Sequence, residues 1–151
     1  MIKIGSYIKD IYKYRKTKKI LKKLEPKDIK PFSFDGIEKY VRIVKVYDGD
    51  TCTILFRWKK QNIKTSCRII GIDTPELRTK NKVEKELGYK AKEFLVNLIF
   101  EKVLRVKFGK DGKYGRPLVE IFLHNGQSIS DIMISSGHAK PYFGGTKQKW
   151  N

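Results

Sequence analysis

Hydrophobic and polar positions change rhythm near residue 40. Between Ser6 and Leu24 the apolar residues Ile8, Ile11, Tyr12, Ile20, Leu21 and Leu24 recur mostly three or four apart among lysines and arginines, the pattern of a basic amphipathic helix. Glu25-Pro26 ends it, and residues 27–36, bounded by Pro26 and Gly36 and containing Pro31, read as a linker. Beyond Lys39 the period becomes two. Residues 41–47 and 51–58 alternate, and residues 62–70 resume the alternation after Lys59-Lys60-Gln61, which predicts a three-stranded meander. Residues 91–101 place Ala91, Phe94, Leu95, Leu98 and Ile99 on one helical face. Two further strands are expected at 103–108 and 118–123 around a turn-rich stretch, and Ser130 is a candidate cap for a short helix that stops at Gly137. Five short strands with a helix after the third fit an α+β, OB-like, partly open barrel, although element order alone is shared by several architectures. The expected division is a basic segment and linker at 1–38 and one barrel domain at 39–151.

A hairpin turn centred on Lys59-Lys60 sets Cys52 opposite Cys67. Directly opposed Cβ atoms lie roughly 4.5–5.5 Å apart, beyond the roughly 3.8 Å typical of a disulfide, so two reduced, buried thiols with no catalytic role are expected.

Composition narrows the function. Lys and Arg number 34 against 16 Asp and Glu, a formal charge of +18, which favours a polyanionic partner: nucleic acid first, an anionic membrane surface second. Both parts are basic, since the first 40 residues hold 12 basic and 5 acidic side chains. With 40% hydrophobic and 12% aromatic residues the chain can build a core, which excludes a disordered basic tail. Two cysteines and two histidines exclude a disulfide framework and a structural zinc set. No apolar run approaches the roughly 18 residues of a membrane span, and Lys3, Lys9 and Asp10 interrupt the stretch where a secretory signal would lie. A soluble, intracellular protein is the expectation. For the N-terminal segment, a solvated arm or a helix packed on the domain is weighed against a nucleic-acid-tracking arm or a membrane-surface helix.

In so basic a chain, acidic clusters at strand ends stand out. Asp48-Gly49-Asp50-Thr51 lies at a strand-to-strand turn, and Asp73-Thr74-Pro75-Glu76 follows the third strand. Each alone is an ordinary turn or helix-start sequence. Together, with Arg68 just before one and Gly112-Lys113-Tyr114-Gly115-Arg116 between two later strands, they suggest a hard cation held by oxygen ligands.

The segments DGDT (48–51), RIIGIDTPE (68–76), GYKA (88–91), KYGR (113–116) and SSGHAKPY (135–142) resemble, in order and spacing, the motifs of the staphylococcal nuclease-like family, the thermonucleases. The resemblance covers about residues 40–143. It implies an OB-fold five-stranded barrel with packed helices, and calcium-dependent hydrolysis of DNA and RNA leaving 3′-phosphates. By position it implies that Asp50 and Asp73 ligate Ca2+ with the main-chain carbonyl of Thr74, while Asp48 stands behind them. Glu76 matches the carboxylate that orients or deprotonates the attacking water. Arg68 and Arg116 match the guanidiniums that bracket the scissile phosphate, and Lys113 and Tyr114 match contacts to substrate phosphate. Tyr142 and Phe143 fall near substrate-facing aromatics. His124 and His138 lie outside the matched set and read as structural or surface residues. Two departures stand out: Gly112 occupies a place that is often acidic, with Asp111 one residue earlier, and the first 40 residues have no counterpart. No obligate protein partner is inferred. The competing reading is a nucleic-acid-binding module without catalysis on the same fold; it needs the basic surface but not a carboxylate cluster, which opposes phosphate unless a cation intervenes.

Overall fold

The alternating segments pair as expected. In the computed structural model, which describes residues 4–112 and 115–150, they form β1 (Glu38–Val46), β2 (Thr51–Trp58) and β3 (Gln61–Ile69). Lys59 and Lys60 both take positive φ, 44° and 69°, the primed turn whose twist matches a two-residue hairpin. That turn sets the register, so Thr51 pairs with Arg68 and Cys52 with Cys67. Both cysteines are buried and free, with sulfurs 3.5 Å apart. The shared thiol hydrogen bond and burial push Cys67 well above the usual thiol range.

A short β4 (Ile72–Asp73) leads into α2 (Lys82–Ile99), followed by β5 (Val103–Asp111), β6 (Pro117–Phe122), α3 (Ile129–Ser135) and β7 (Lys140–Pro141). The order β1-β2-β3-β6-β5 closes into a barrel, a correction to the partly open one expected. Closure comes from antiparallel pairing of β1 with β5 and two parallel pairs, Arg68 with Leu118 and Ile69 with Val119. Val41, Ile43, Ile54, Leu104, Val106 and Ile121 fill the interior, each contributing roughly 1.5–3 kcal/mol by burial.

Helix α2 begins nine residues before the apolar stripe that predicts it. Residues 82–90 have little apolar periodicity, but the Asn81 side chain accepts hydrogen bonds from the backbone N–H of Val83 and Glu84 at 3.0 and 3.2 Å, so a cap starts the helix. Gly88, Ala91, Leu95 and Ile99 form its buried face. Ser128, not Ser130, occupies the N-cap position of α3. The Ser130 hydroxyl donates instead to the Ile70 carbonyl at 2.8 Å, tying α3 to the end of β3.

The described chain divides into a unit ending at Phe32 and one beginning at Ser33. The first contains α1 (Ile4–Leu21) and a 3-10 turn, Pro26–Asp28; Ile8, Tyr12, Tyr14, Ile20 and Leu21 are exposed. The second begins inside the stretch read as linker. Phe34 lies 5.3 Å from the rings of both Phe56 and Phe108, because an aromatic beside an open barrel end buries more area there than in water. Among the described residues, no helix is long and apolar enough to cross a membrane.

Candidate functional site

Two loops meet at one mouth of the barrel. In the β1–β2 turn, the Asp50 N–H donates to Asp48 Oδ1 at 3.1 Å and the Thr51 hydroxyl to Asp50 Oδ1 at 2.9 Å. The Asp50 carbonyl accepts from the Ile69 N–H at 2.8 Å, which locks this turn to the end of β3. The second loop follows β4 and carries Asp73, Thr74 and Glu76. Close approach of the two requires Gly49, since a Cβ there would lie 2.8 Å from Thr74 Oγ1. Gly88 serves the other side: its Cβ would lie 2.8 Å from the Pro75 carbonyl oxygen, so a glycine lets α2 press against the loop that presents Glu76.

Arg68, near the end of β3, joins the loops. Its Nη2 lies 2.6 Å from Asp50 Oδ2 and 3.4 Å from Asp73 Oδ1. Both carboxylates are nearly inaccessible, at 5% and 4% exposure. Burial and the neighbouring Asp48 charge push Asp50 up to about 7, against the opposing pull of Arg68 and the Thr51 hydroxyl. A buried carboxyl raised in this way is one whose charged form needs more compensation than Arg68 supplies, and the hard oxygen donors of Asp50 and Asp73 fit a hard divalent ion. Asp50, Asp73 and the Thr74 carbonyl are the donors that could hold one. Among the described residues no three His, Cys, Asp or Glu side chains form a metal cluster.

Glu76 is exposed at the rim, where its N–H donates to Glu84 Oε1 at 3.4 Å. Its carboxylate meets a residue the motifs do not mark, Lys147, whose Nζ lies 2.8 Å from both Glu76 Oε1 and Asp73 Oδ1. Partial burial disfavours that ammonium, but hydrogen bonds to Asp73 and Glu76 outweigh it and push Lys147 up to about 12.

Arg116 immediately precedes β6, and its carbonyl accepts from the Gly112 N–H at 2.7 Å. A Cβ on Gly112 would sit 3.1 Å from Leu118 Cδ2 and 3.2 Å from that carbonyl, so any side chain in place of this glycine would crowd Leu118 and the Arg116 backbone. Among the described residues the Arg116 guanidinium makes no ion pair. Arg68, Arg116, Leu118, Tyr142, Phe143 and Lys147 line a cleft of about 490 Å3. Asp73, Glu76, Glu84, Lys147 and Trp150 line another of about 370 Å3, so Lys147 is common to both. Phe143 is 88% exposed, whereas the Tyr142 hydroxyl donates to the Gly145 carbonyl at 3.1 Å. Lys113 and Tyr114 lie outside the described residues. His138 stacks on Phe94 with ring centroids 4.3 Å apart, and His124 is exposed, so neither belongs to this cluster.

A closed five-stranded barrel with helices packed on it, carrying these loops at its mouth, is an OB-fold domain of the SNase-like α+β class. The family model for staphylococcal nuclease homologues matches residues 66–150. A thermonuclease of Staphylococcus hyicus is 31% identical over 119 residues, covering 75% of this chain and 68% of that protein. An uncharacterized protein of Methanocaldococcus jannaschii is 31% identical over 126 residues, covering 68% of this chain. An uncharacterized endonuclease of Haemophilus influenzae is 34% identical over 102 residues, covering 67% of this chain. The chain belongs to the staphylococcal nuclease homologue family. It spans 59% of the length of the M. jannaschii relative and 51% of the H. influenzae relative.

Proposed function

We propose that the chain hydrolyses phosphodiester bonds of DNA or RNA with calcium as cofactor, leaving 3′-phosphate ends. One observation carries the reading: Asp50 and Asp73 are joined by Arg68 at a mouth that opens on a cleft holding Arg116. The names of the S. hyicus and H. influenzae relatives, a thermonuclease and an endonuclease, support the same reading. Calcium held by Asp50, Asp73 and the Thr74 carbonyl would supply a Lewis acid for a phosphoryl oxygen.

The chain's own groups perform the rest. Glu76 takes a proton from water as the water oxygen attacks phosphorus. Arg68 and Arg116 donate N–H groups to the non-bridging oxygens, where negative charge grows in the transition state. The bond from phosphorus to the 5′ oxygen breaks and that oxygen takes a proton from solvent water, giving a 3′-phosphate and a 5′-hydroxyl. In this reading Lys113 and Tyr114 bind substrate phosphate, while Tyr142 and the more exposed Phe143 face the bases, which stack on aromatic rings. A binding module without catalysis has no use for two buried carboxylates beside a phosphate cleft.

The test is incubation of the purified chain with single- and double-stranded DNA and RNA, with calcium, with magnesium and with chelator, followed by analysis of the product ends. Cleavage with calcium alone, leaving 3′-phosphates, is expected. Full activity under chelation, or equal rates with magnesium alone, would remove the calcium assignment.

A further inference from the structure

Lys147 sits on two carboxylates that the proposed chemistry needs, and the chain holds it there. Strand β7 pairs with β4, so that Lys140 lies opposite Asp73. The segment that follows turns back through Gly144 and Gly145, with φ of 104° and 91°, a conformation that side-chain-bearing residues rarely adopt. It is then fastened at three points. Tyr142 Oη donates to the Gly145 carbonyl at 3.1 Å, Lys140 Nζ donates to the Lys149 carbonyl at 2.8 Å, and the same ammonium lies 4.5 Å from the Trp150 ring centre. Between these fastenings Lys147 reaches Asp73 Oδ1 and Glu76 Oε1, both at 2.8 Å. A tethered ammonium acts there at an effective concentration that no free monovalent ion matches.

We propose that Lys147 is a built-in counter-cation that competes with the divalent ion for Asp73 and thereby sets the ion's affinity for the site. The inference rests on the calcium reading above. An ammonium and a divalent ion cannot both sit against Asp73 Oδ1 without strong like-charge repulsion. The doubly charged ion has the stronger attraction to paired carboxylates, so it enters by displacing Lys147, at the cost of that lysine's ion pairs. Lys147 also lines the cleft that holds Arg68 and Arg116, where the phosphate of a bound substrate would be its counter-charge. Displacement also loosens the segment ending in Trp150, which borders the acidic cleft.

The test compares the full chain with Lys147→Gln and Lys147→Arg, using calcium chloride titrations followed by calorimetry at fixed ionic strength. In parallel, the two Trp indole N–H signals are followed by NMR, with Trp150→Phe as the assignment control. Lys147→Gln should bind calcium about fivefold or more tightly than the parent, and Lys147→Arg should stay near it. The Trp150 signal of the parent should shift on calcium saturation, toward the position that Lys147→Gln already shows without metal. Equal or weaker calcium binding by Lys147→Gln would overturn the inference while the calcium reading stands. If neither protein binds calcium, the calcium reading itself fails and this inference falls with it.

Discussion

Buried beside Asp48, the Asp50 carboxyl holds its proton up to about 7, against 3.8 for a free aspartate. A carboxyl whose folded value is raised stabilises the fold in its protonated form; that contribution is complete below the unfolded value and is lost as pH rises through the folded one. Metal-free parent protein should therefore lose stability between pH 4 and pH 7, a loss that Asp50→Asn escapes. We predict that, without calcium, Asp50→Asn is more stable than the parent at pH 8, by roughly 1–3 kcal/mol, and that the gap closes toward pH 4. Urea denaturation across that range measures it; a gap that grows as pH falls would contradict the assigned environment. The same residue shows what the sequence makes visible. Asp50 and Asp73 announce themselves because acidic motifs are scarce in a chain with 34 basic residues. Lys147 does not, for the complementary reason: one lysine among so many carries no pattern, and it lies 71 residues from the Glu76 it contacts.

Among the elements, the register of β2 on β3 was legible to the residue, although β3 runs one position earlier than the expected 62–70, because period-two alternation and a two-residue turn leave one register open, and a one-residue slip would take Cys52 or Cys67 off the shared buried face. The first half of α2 was not, since its start depends on the Asn81 cap and its burial on the fit of Gly88 against Pro75, both of which are matters of contact rather than period. Phe34 was hidden similarly, an aromatic in a proline-marked stretch whose partners Phe56 and Phe108 are distant in sequence. The α2 fit yields a prediction. Gly88→Ala gains helix propensity of up to about 1 kcal/mol, but its Cβ would meet the Pro75 carbonyl oxygen at 2.8 Å, and overpacking of that kind costs about 1–3 kcal/mol. Net destabilisation is expected, with turnover falling further than substrate affinity because the loop bearing Glu76 moves. Thermal melts and steady-state kinetics check it, and an unchanged or raised melting temperature would show that α2 does not press on that loop.

For the whole molecule, the charge of +18 is spread over both units, so attraction to nucleic acid should be general and salt-sensitive. Replacing Lys13, Lys16, Lys19, Lys22 and Lys23 together by Gln should flatten the dependence of log Kd on log salt, by up to about 0.7–0.9 for each phosphate no longer neutralised, and leave the chemical step unchanged. Filter binding at several salt concentrations reads the slope; an unaltered slope would mean that this segment does not face nucleic acid. The central claim is that buried carboxylates and two guanidiniums at one barrel mouth act on a phosphodiester in its transition state. Single-turnover cleavage of a labelled oligonucleotide in calcium tests it most directly, comparing the parent with Arg116→Ala and Glu76→Gln and measuring Kd in parallel. The account predicts a chemical rate lower by about 10²-fold or more in each variant, with Kd within about threefold of the parent. Rates within about threefold of the parent, or losses that appear wholly in Kd, would contradict it.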